Sequence, residues 1–371
     1  MRKPAEVFPP GETLRDELEE RGLSQAEFAE ILGRPQSRIN EVLNGKRRIT
    51  ADLARDLAEA LGTSAEFWMN LEASYQLHRV RDRPVAAIAR RAAVYAKAPV
   101  REMTKRGWIE PTENIEVLEA SVCRFLGVES IDDEPDLPKW AARKATAYNA
   151  TTTPAECAWV MRAKQLSRTV YANKYDPKGF DKMVVELKLL VHAAPEIRHV
   201  PRVLAEAGIR FVIVQHLPKT KIDGACFWDS DQPTVALTLR FDRIDHFWFV
   251  LMHELGHVRD MEGSIDRDLQ QEVSEPASEA EMRANQFASS SLVPLDKLDD
   301  FIARVRPTYK LPRIEAFAQR AGVHPGIVVG QLQHRDEVPY SIFRGTLVPV
   351  REIVTTAAVA DGWGSVLPVS L

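Results

Sequence analysis

The sequence predicts a mainly helical chain with one small β-sheet, an α+β architecture. Three observations lead there. Helix caps and terminating glycines recur through the first 80 residues. Runs of strand formers appear only from about residue 200, over 209–214 and 234–239. An apolar run over 247–252 then enters His253-Glu254-Leu255-Gly256-His257, a helix-like stretch that ends in three ionisable side chains. With 371 residues the chain is too long for one ordinary compact domain. Its 45% hydrophobic and 27% charged content is that of a globular protein and excludes a disordered chain.

The elements follow in order. Pro9, Pro10 and Gly11 break the chain ahead of a helix over 12–21, which Gly22 ends. Ser24 and Glu27 form a capping box for a second helix closed by Gly33. A tight link over 33–37 leads into a third helix that runs to Leu43, and Asn44-Gly45 is a turn. Thr50 caps a fourth helix ending at Gly62. The tetrad Thr63-Ser64-Ala65-Glu66 reads as a second capping box, opening a fifth helix with Phe67, Trp68 and Leu71 on its apolar side. Residues 79–106 are basic, with nine Lys/Arg against Asp82 and Glu102, and Pro84 and Pro99 break them. Residues 110–200 look helical, hold no motif, and read as a helical spacer or packing layer. Two short strands follow, with Asp223-Gly224 read as a turn between them. Further helices are expected over 279–289, 313–321 and 325–333. The domains are drawn at 1–80, 81–200, 201–335 and 336–371; the last stretch, like 81–200, carries no chemistry that can be read.

Composition narrows the function classes. The formal net charge of -4 gives no global basic bias toward nucleic acid, so any such signal must be local. Three widely separated cysteines support neither a disulfide framework nor a Cys-x-x-Cys metal knuckle. There is no signal-peptide core and no apolar run of membrane length, so a cytoplasmic chain with no membrane partner is expected.

His253 and His257 are four apart, so on a helix both face one side and can grip one cation. Glu254 flanks that face and suits a base acting on water rather than a ligand. His246 lies two turns away and receives no ligand role. The bland alternative is a core helix with two incidental histidines. Against it, a buried histidine pair with a carboxylate needs partners, which a metal supplies. Glu281, on the next helix, would complete three protein ligands and leave water the fourth position, with Glu275 and Glu279 as rivals. Asn285, one turn on, would hydrogen-bond a ligand histidine. One zinc per chain is expected, with Glu254 taking a proton from water and passing it to the leaving amine. Arg240, Tyr340 and His334 are open candidates for stabilising the oxyanion.

"HELGHV" followed by "EMRANQFASSSLVP" resembles the ImmA/IrrE family of zinc metallopeptidases, over about residues 200–295. The family's second motif is matched at Glu281, Ala284, Asn285, Phe287 and Ala288, and departs from it at Ser291-Leu292-Val293-Pro294. The resemblance implies a zincin-like (gluzincin-like) metallopeptidase fold and an endopeptidase acting on a regulatory protein such as a repressor or toxin.

The N-terminal helices have helix-turn-helix spacing, in which the second helix of the motif presents its first residues to base edges. Those residues are Gln36, Ser37, Arg38 and Asn40. Between Arg34 and Arg48 lie five basic residues and one acid, Glu41, although residues 1–79 hold 11 basic against 14 acidic. Arg34 is expected at the same DNA face, and Lys46, Arg47 and Arg48 can meet phosphate. The bland alternative is a small helical interaction domain with an ordinary basic loop. Residues 7–77 are similar to XRE-family regulators, the HigA-like antitoxins above all, on "LSQAEFAEILGRPQSRINEVLNGKRRIT" and its flanks. That resemblance implies a homodimer on a double-stranded palindromic operator, with Gln25 touching the backbone. Two readings result: a DNA-binding regulator carrying an active zinc endopeptidase, or a DNA-binding antitoxin whose peptidase-like body is a silent sensor or dimerisation module.

Overall fold

A computed structural model describes residues 8–79, 85–137, 152–267 and 278–364. The chain forms two units, Met1–Ala89 and Arg90–Leu371.

The first unit contains α1 (Pro10–Glu20), α2 (Gln25–Ile31), α3 (Gln36–Leu43), α4 (Ala51–Leu61) and α5 (Ala65–Arg79). Pro10 and Gly11 lie inside α1 rather than ahead of it. Proline needs no amide partner in a first turn, and glycine lets α1 press on the end of α3, where a Cβ would sit 2.3 Å from the Val42 carbonyl oxygen. The Ser24–Glu27 capping box is made in both directions. At α5 the cap is Ser64, whose Oγ accepts from the Phe67 amide at 3.1 Å. Thr63 instead accepts from Trp68 Nε1 at 2.8 Å, satisfying the polar tip of a fully buried ring. Leu14, Phe28, Ile39, Leu57 and Trp68 close the core.

The second unit is a sheet buried on both faces. Its helices are α6 (Val85–Lys97, which the boundary crosses), α7 (Val100–Lys105), α8 (Ile115–Leu126), α9 (Pro154–Ser167), α10 (Phe180–Leu190) and α11 (Val200–Glu206). Then come β1 (Arg210–Val214), β2 (Ile222–Asp229), β3 (Gln232–Leu237), α12 (Ile244–Arg259), β4 (Ser264–Arg267) and α13 (Glu279–Leu292). The unit continues through α14 (Leu295–Val305), α15 (Leu311–Ala321), α16 (Pro325–His334), α17 (Arg351–Ala357) and β5 (Val359–Asp361). Sheet order is β4-β2-β3-β1-β5, with β1 parallel to both β3 and β5, and β2 antiparallel to β3 and β4.

Strand alternation decides which core each residue enters. On β1, Phe211 and Ile213 join the core around α12, while Val212 and Val214 join the opposite core. That opposite core is built by Val94, Met103, Phe125, Trp159 and their neighbours, so the described helices from α6 to α9 form a layer over that face of the sheet, while α10 and α11 pack on the other face with α12. Trp159 Nε1 donates to the Val214 carbonyl at 3.0 Å, and Arg162 Nε to Asp361 at 2.6 Å, tying α9 to β1 and β5. Asp223-Gly224 is not a turn but the start of β2. The β2–β3 turn falls instead at Ser230, in a left-handed conformation (φ 57°), and Asp231.

Candidate metal centre and DNA-facing helix

α12 runs beneath the sheet, with every residue but Phe249 and Arg259 buried. Phe247, Trp248, Leu251 and Leu255 are each at most 1% exposed. Burying such a side chain stabilises by about 1.5–3 kcal/mol, which offsets the cost of taking His253, Glu254 and His257 out of water. Two glycines set the distances around the helix. A Cβ on Gly256 would lie 3.0 Å from the Ala284 Cα, so glycine lets α12 and α13 approach closely. A Cβ on Gly224 would lie 2.3 Å from Glu254 Oε1, so glycine in β2 makes room for that carboxylate under the sheet.

His253 Nε2 and His257 Nε2 lie 3.1 Å apart and point at one locus. Glu281 Oε2 stands 3.3 Å from the first and 3.8 Å from the second. Asp266 Oδ2 stands 3.4 and 3.8 Å from the same atoms. One ligand atom from each of these four residues fits within 4.8 Å of the others. Asn285 Oδ1 is 3.0 Å from His253 Nδ1, which turns Nε2 of that ring toward the locus. Glu279 is exposed on the far side of α13's first turn and outside the group; Glu275 lies outside the described residues.

Electrostatics follow burial and neighbours. Burial alone would lower His253, but the Asp266 and Glu281 carboxylates override it and push the ring up to about 10. Burial would raise Asp266, yet His253 and His257 hold it well below the usual carboxylate range. Glu254 is raised well above its ordinary value, first by burial and then by Asp266 beside it. Its Oε2 accepts from Ser264 Oγ at 3.1 Å, and its Oε1 is buried with no hydrogen-bond partner among the described residues. Two imidazole nitrogens, adjacent carboxylate oxygens and this unpartnered buried oxygen fit a borderline-soft dication with a basic group beside it.

Asp266 escapes a motif search. It sits nine residues past His257, on a strand with little apolar alternation. The signal available in sequence is Ser264 and Asp266 two apart, hence on one strand face. Only the pairing of β4 with β2, which sets Asp266 opposite Gly224, brings that face to the histidines.

Of the oxyanion candidates, Arg240 is held by Asp223 at 3.0 and 3.2 Å. His246 Nε2 also approaches Asp223, at 3.4 Å. His334 and Tyr340 line a cleft along α12 with Phe249 and Arg243. The Phe249 ring lies 6.2 Å from His253 and 6.3 Å from His334, so the cleft begins one turn before the metal locus.

In the first unit Gln25, Gln36, Ser37, Arg38, Asn40, Lys46, Arg47 and Arg48 are all exposed. Asn40 accepts from Asn44 Nδ2 at 2.5 Å, and Arg47 Nε reaches Glu41 at 2.7 Å, both at the surface. Arg34, expected at the DNA face, is instead engaged within the unit: it donates to Asp52 at 2.6 Å and Asp56 at 2.9 Å. Planar, forked donation to two acids of α4 fixes the turn between α2 and α3. Within the basic stretch before residue 107, Arg90 pairs with Glu119, Lys97 with Glu134, and Arg106 donates to the Gln215 and His216 carbonyls.

Comparison with known proteins agrees with this division. A helix-turn-helix family model matches residues 14–68, and the model of the IrrE N-terminal-like domain (peptidase M78) matches residues 205–333. Virulence-associated protein I of Dichelobacter nodosus is 44% identical over 69 residues, covering 18% of this chain and 64% of that protein. Antitoxin HigA-1 of Vibrio cholerae is 36% identical over 83 residues, covering 22% and 75%. The solved Pseudomonas aeruginosa antitoxin HigA with the higBA promoter is 39% identical, covering 20% and 83%, with a TM-score of 0.20. The chain spans just under two thirds of the virulence-associated proteins it matches. By its first unit the chain belongs to the HigA-like (XRE) helix-turn-helix family, and over residues 205–333 it carries an IrrE-like domain of the M78 peptidase family.

Proposed function

We propose that the chain is a DNA-binding regulator whose second unit is a zinc-dependent endopeptidase acting on a regulatory protein, such as a repressor or toxin. The observation that carries the peptidase half is the meeting of His253 Nε2, His257 Nε2 and Glu281 Oε2 at one locus with Glu254 beside it. His253, His257 and Glu281 would hold the metal, and Asn285 would orient His253. A bound zinc supplies Lewis acidity toward water and a peptide carbonyl. Glu254, buried against Gly224, is placed to take a proton on its carboxylate and return it to the departing amine. The cleft lined by Phe249, His334 and Tyr340 would seat the peptide beside that point, with the Tyr340 hydroxyl or His334 ring available to the oxyanion.

The DNA half rests on the exposed row Gln36, Ser37, Arg38 and Asn40 at the start of α3, with Lys46, Arg47 and Arg48 after it. The helix-turn-helix family match over residues 14–68 supports double-stranded DNA as the partner.

Cells carrying wild type or Glu254→Gln test the whole reading when new protein N-termini and transcript levels are followed together. Loss of one cleavage event with operator binding retained is the expected result. Identical cleavage profiles would leave the peptidase-like unit as a silent sensor or dimerisation module. For the DNA half, operator affinity is measured against salt. Arg38→Ala should cost about 1–3 kcal/mol and relax specificity. Arg47→Ala should weaken binding evenly and flatten the salt slope by about one. Both variants behaving as wild type would refute DNA contact by α3.

A further inference from the structure

Four donors, not three, surround the metal locus. A tetrahedral zinc with bonds of about 2.0–2.1 Å sets its donor atoms about 3.3–3.4 Å apart. From His253 Nε2 the three other donors lie at 3.1 Å (His257), 3.3 Å (Glu281) and 3.4 Å (Asp266). From His257 Nε2 both carboxylates lie at 3.8 Å. Asp266 therefore stands as close to the two ring nitrogens as Glu281 does, with all four donor atoms within 4.8 Å of one another, and competes for the fourth corner. A hydrolytic zinc site keeps that corner for water, whereas a site with four protein ligands is closed.

The surroundings hold Asp266 in place. It is 3% exposed, and Ser264 Oγ lies 2.8 Å from its Oδ2. The same Ser264 hydroxyl is 3.1 Å from Glu254 Oε2, and it has one hydrogen to give to the two carboxylates. The pairing of Asp266 with Gly224 sets its carboxylate beside the base that should be acting on water. Glu254 and the fourth ligand corner are thus both engaged by one strand.

We propose that Asp266 is a fourth protein ligand, which leaves the metal site coordinatively closed in this conformation and the peptidase latent until β4 withdraws that carboxylate. This rests on the metallopeptidase reading above. The strand suits such a role. It has four residues and, among the described residues, stands at the edge of the sheet beside β2. A short edge strand detaches by local opening at much less cost than unfolding the unit. Withdrawal would free the corner for water and relieve Glu254 of its neighbouring carboxylate in the same movement.

The test uses the full chain loaded with cobalt(II) in place of zinc and titrated with acetohydroxamate, followed by visible absorption. The wild type should respond only at concentrations at least tenfold above those that saturate Asp266→Asn and Asp266→Ala. The wild type alone gives a second reading that does not depend on the folding of a variant: its cobalt(II) EPR spectrum in H₂¹⁷O should show no broadening from bound water. Equal uptake by wild type and variants, or ¹⁷O broadening in the wild type, overturns the proposal while leaving the metal site standing. Wild type that takes up no cobalt or zinc overturns both this proposal and the peptidase reading. Variants that open to acetohydroxamate yet cleave nothing uphold closure by Asp266 and refute the peptidase alone.

Discussion

Gly224→Ala is the sharpest test of how the fold seats Glu254. The new Cβ would lie 2.3 Å from Glu254 Oε1, 2.9 Å from Val250 Cγ1 and 3.0 Å from the Glu254 carboxyl carbon. All three are far inside van der Waals contact, and neither neighbour has an easy exit. Val250 is 2% exposed and packed in the core, and Glu254 is fully buried with Asp266 on its other side. Overpacking of this kind costs about 1–3 kcal/mol. For a unit of this size each kcal/mol moves the melting temperature by about 2–4 °C. The expected fall is therefore roughly 2–12 °C in the transition of the second unit. Gly179→Ala, whose Cβ would meet nothing within 4 Å, is the control and should stay within about 0.5 kcal/mol of wild type. On the proposed function, zinc content should remain stoichiometric in Gly224→Ala, since its Cβ meets none of His253, His257 and Glu281, while hydrolysis falls because the Glu254 carboxylate is displaced. Differential scanning calorimetry and metal analysis read both quantities. A melting temperature unchanged from wild type, together with unchanged activity, would refute the placement of Glu254 against β2.

Other outcomes can be checked in the same preparation. Asp361→Ala removes the carboxylate that meets Arg162 and Trp108 where both charged side chains are 1% exposed; it should cost about 3–5 kcal/mol, and a chemical denaturation midpoint near wild type would contradict this. Asn285→Ala frees His253 Nδ1 and should weaken zinc about 10–100-fold in chelator competition, with little change in melting of the metal-free chain. His324 caps α16 by accepting from the Gly326 amide, and burial lowers its pKa from 6.5. The folded state therefore prefers the neutral ring. Its contribution is complete above pH 6.5 and is lost as pH falls, because the unfolded chain takes up the proton first. His324→Asn keeps a capping oxygen without the titration; its melting temperature should fall less than that of wild type between pH 7 and pH 5, and parallel curves would exclude the effect.

The helix termini were legible in sequence because capping is a local matter. Ser24, Thr50 and Gly62 act within one turn of themselves, and each terminates the helix it was expected to. The apolar run over 247–252, leading into two histidines four apart, likewise reads as a buried helix without reference to any other part of the chain. Where two local signals agree with different structures, sequence alone cannot choose. Asp223-Gly224 has the composition of a turn, but its glycine is required by a carboxylate thirty residues later in the chain, inside a strand. Arg34 belongs to a basic patch in sequence and to an internal fork with Asp52 and Asp56 in space, because the partners come from a different helix.

The division is one of range. The residues themselves determine two local features, a capped helical cluster with an exposed row on α3 and a helix that aligns His253 and His257, since periods of 3.6 and caps act over a few residues. Tertiary structure decides which carboxylates reach those histidines. Glu281 arrives because Gly256 lets two helices touch, and Asp266 because β4 pairs with β2. Neither approach leaves a periodic trace in the sequence, since each depends on a distance between elements rather than on a spacing along one.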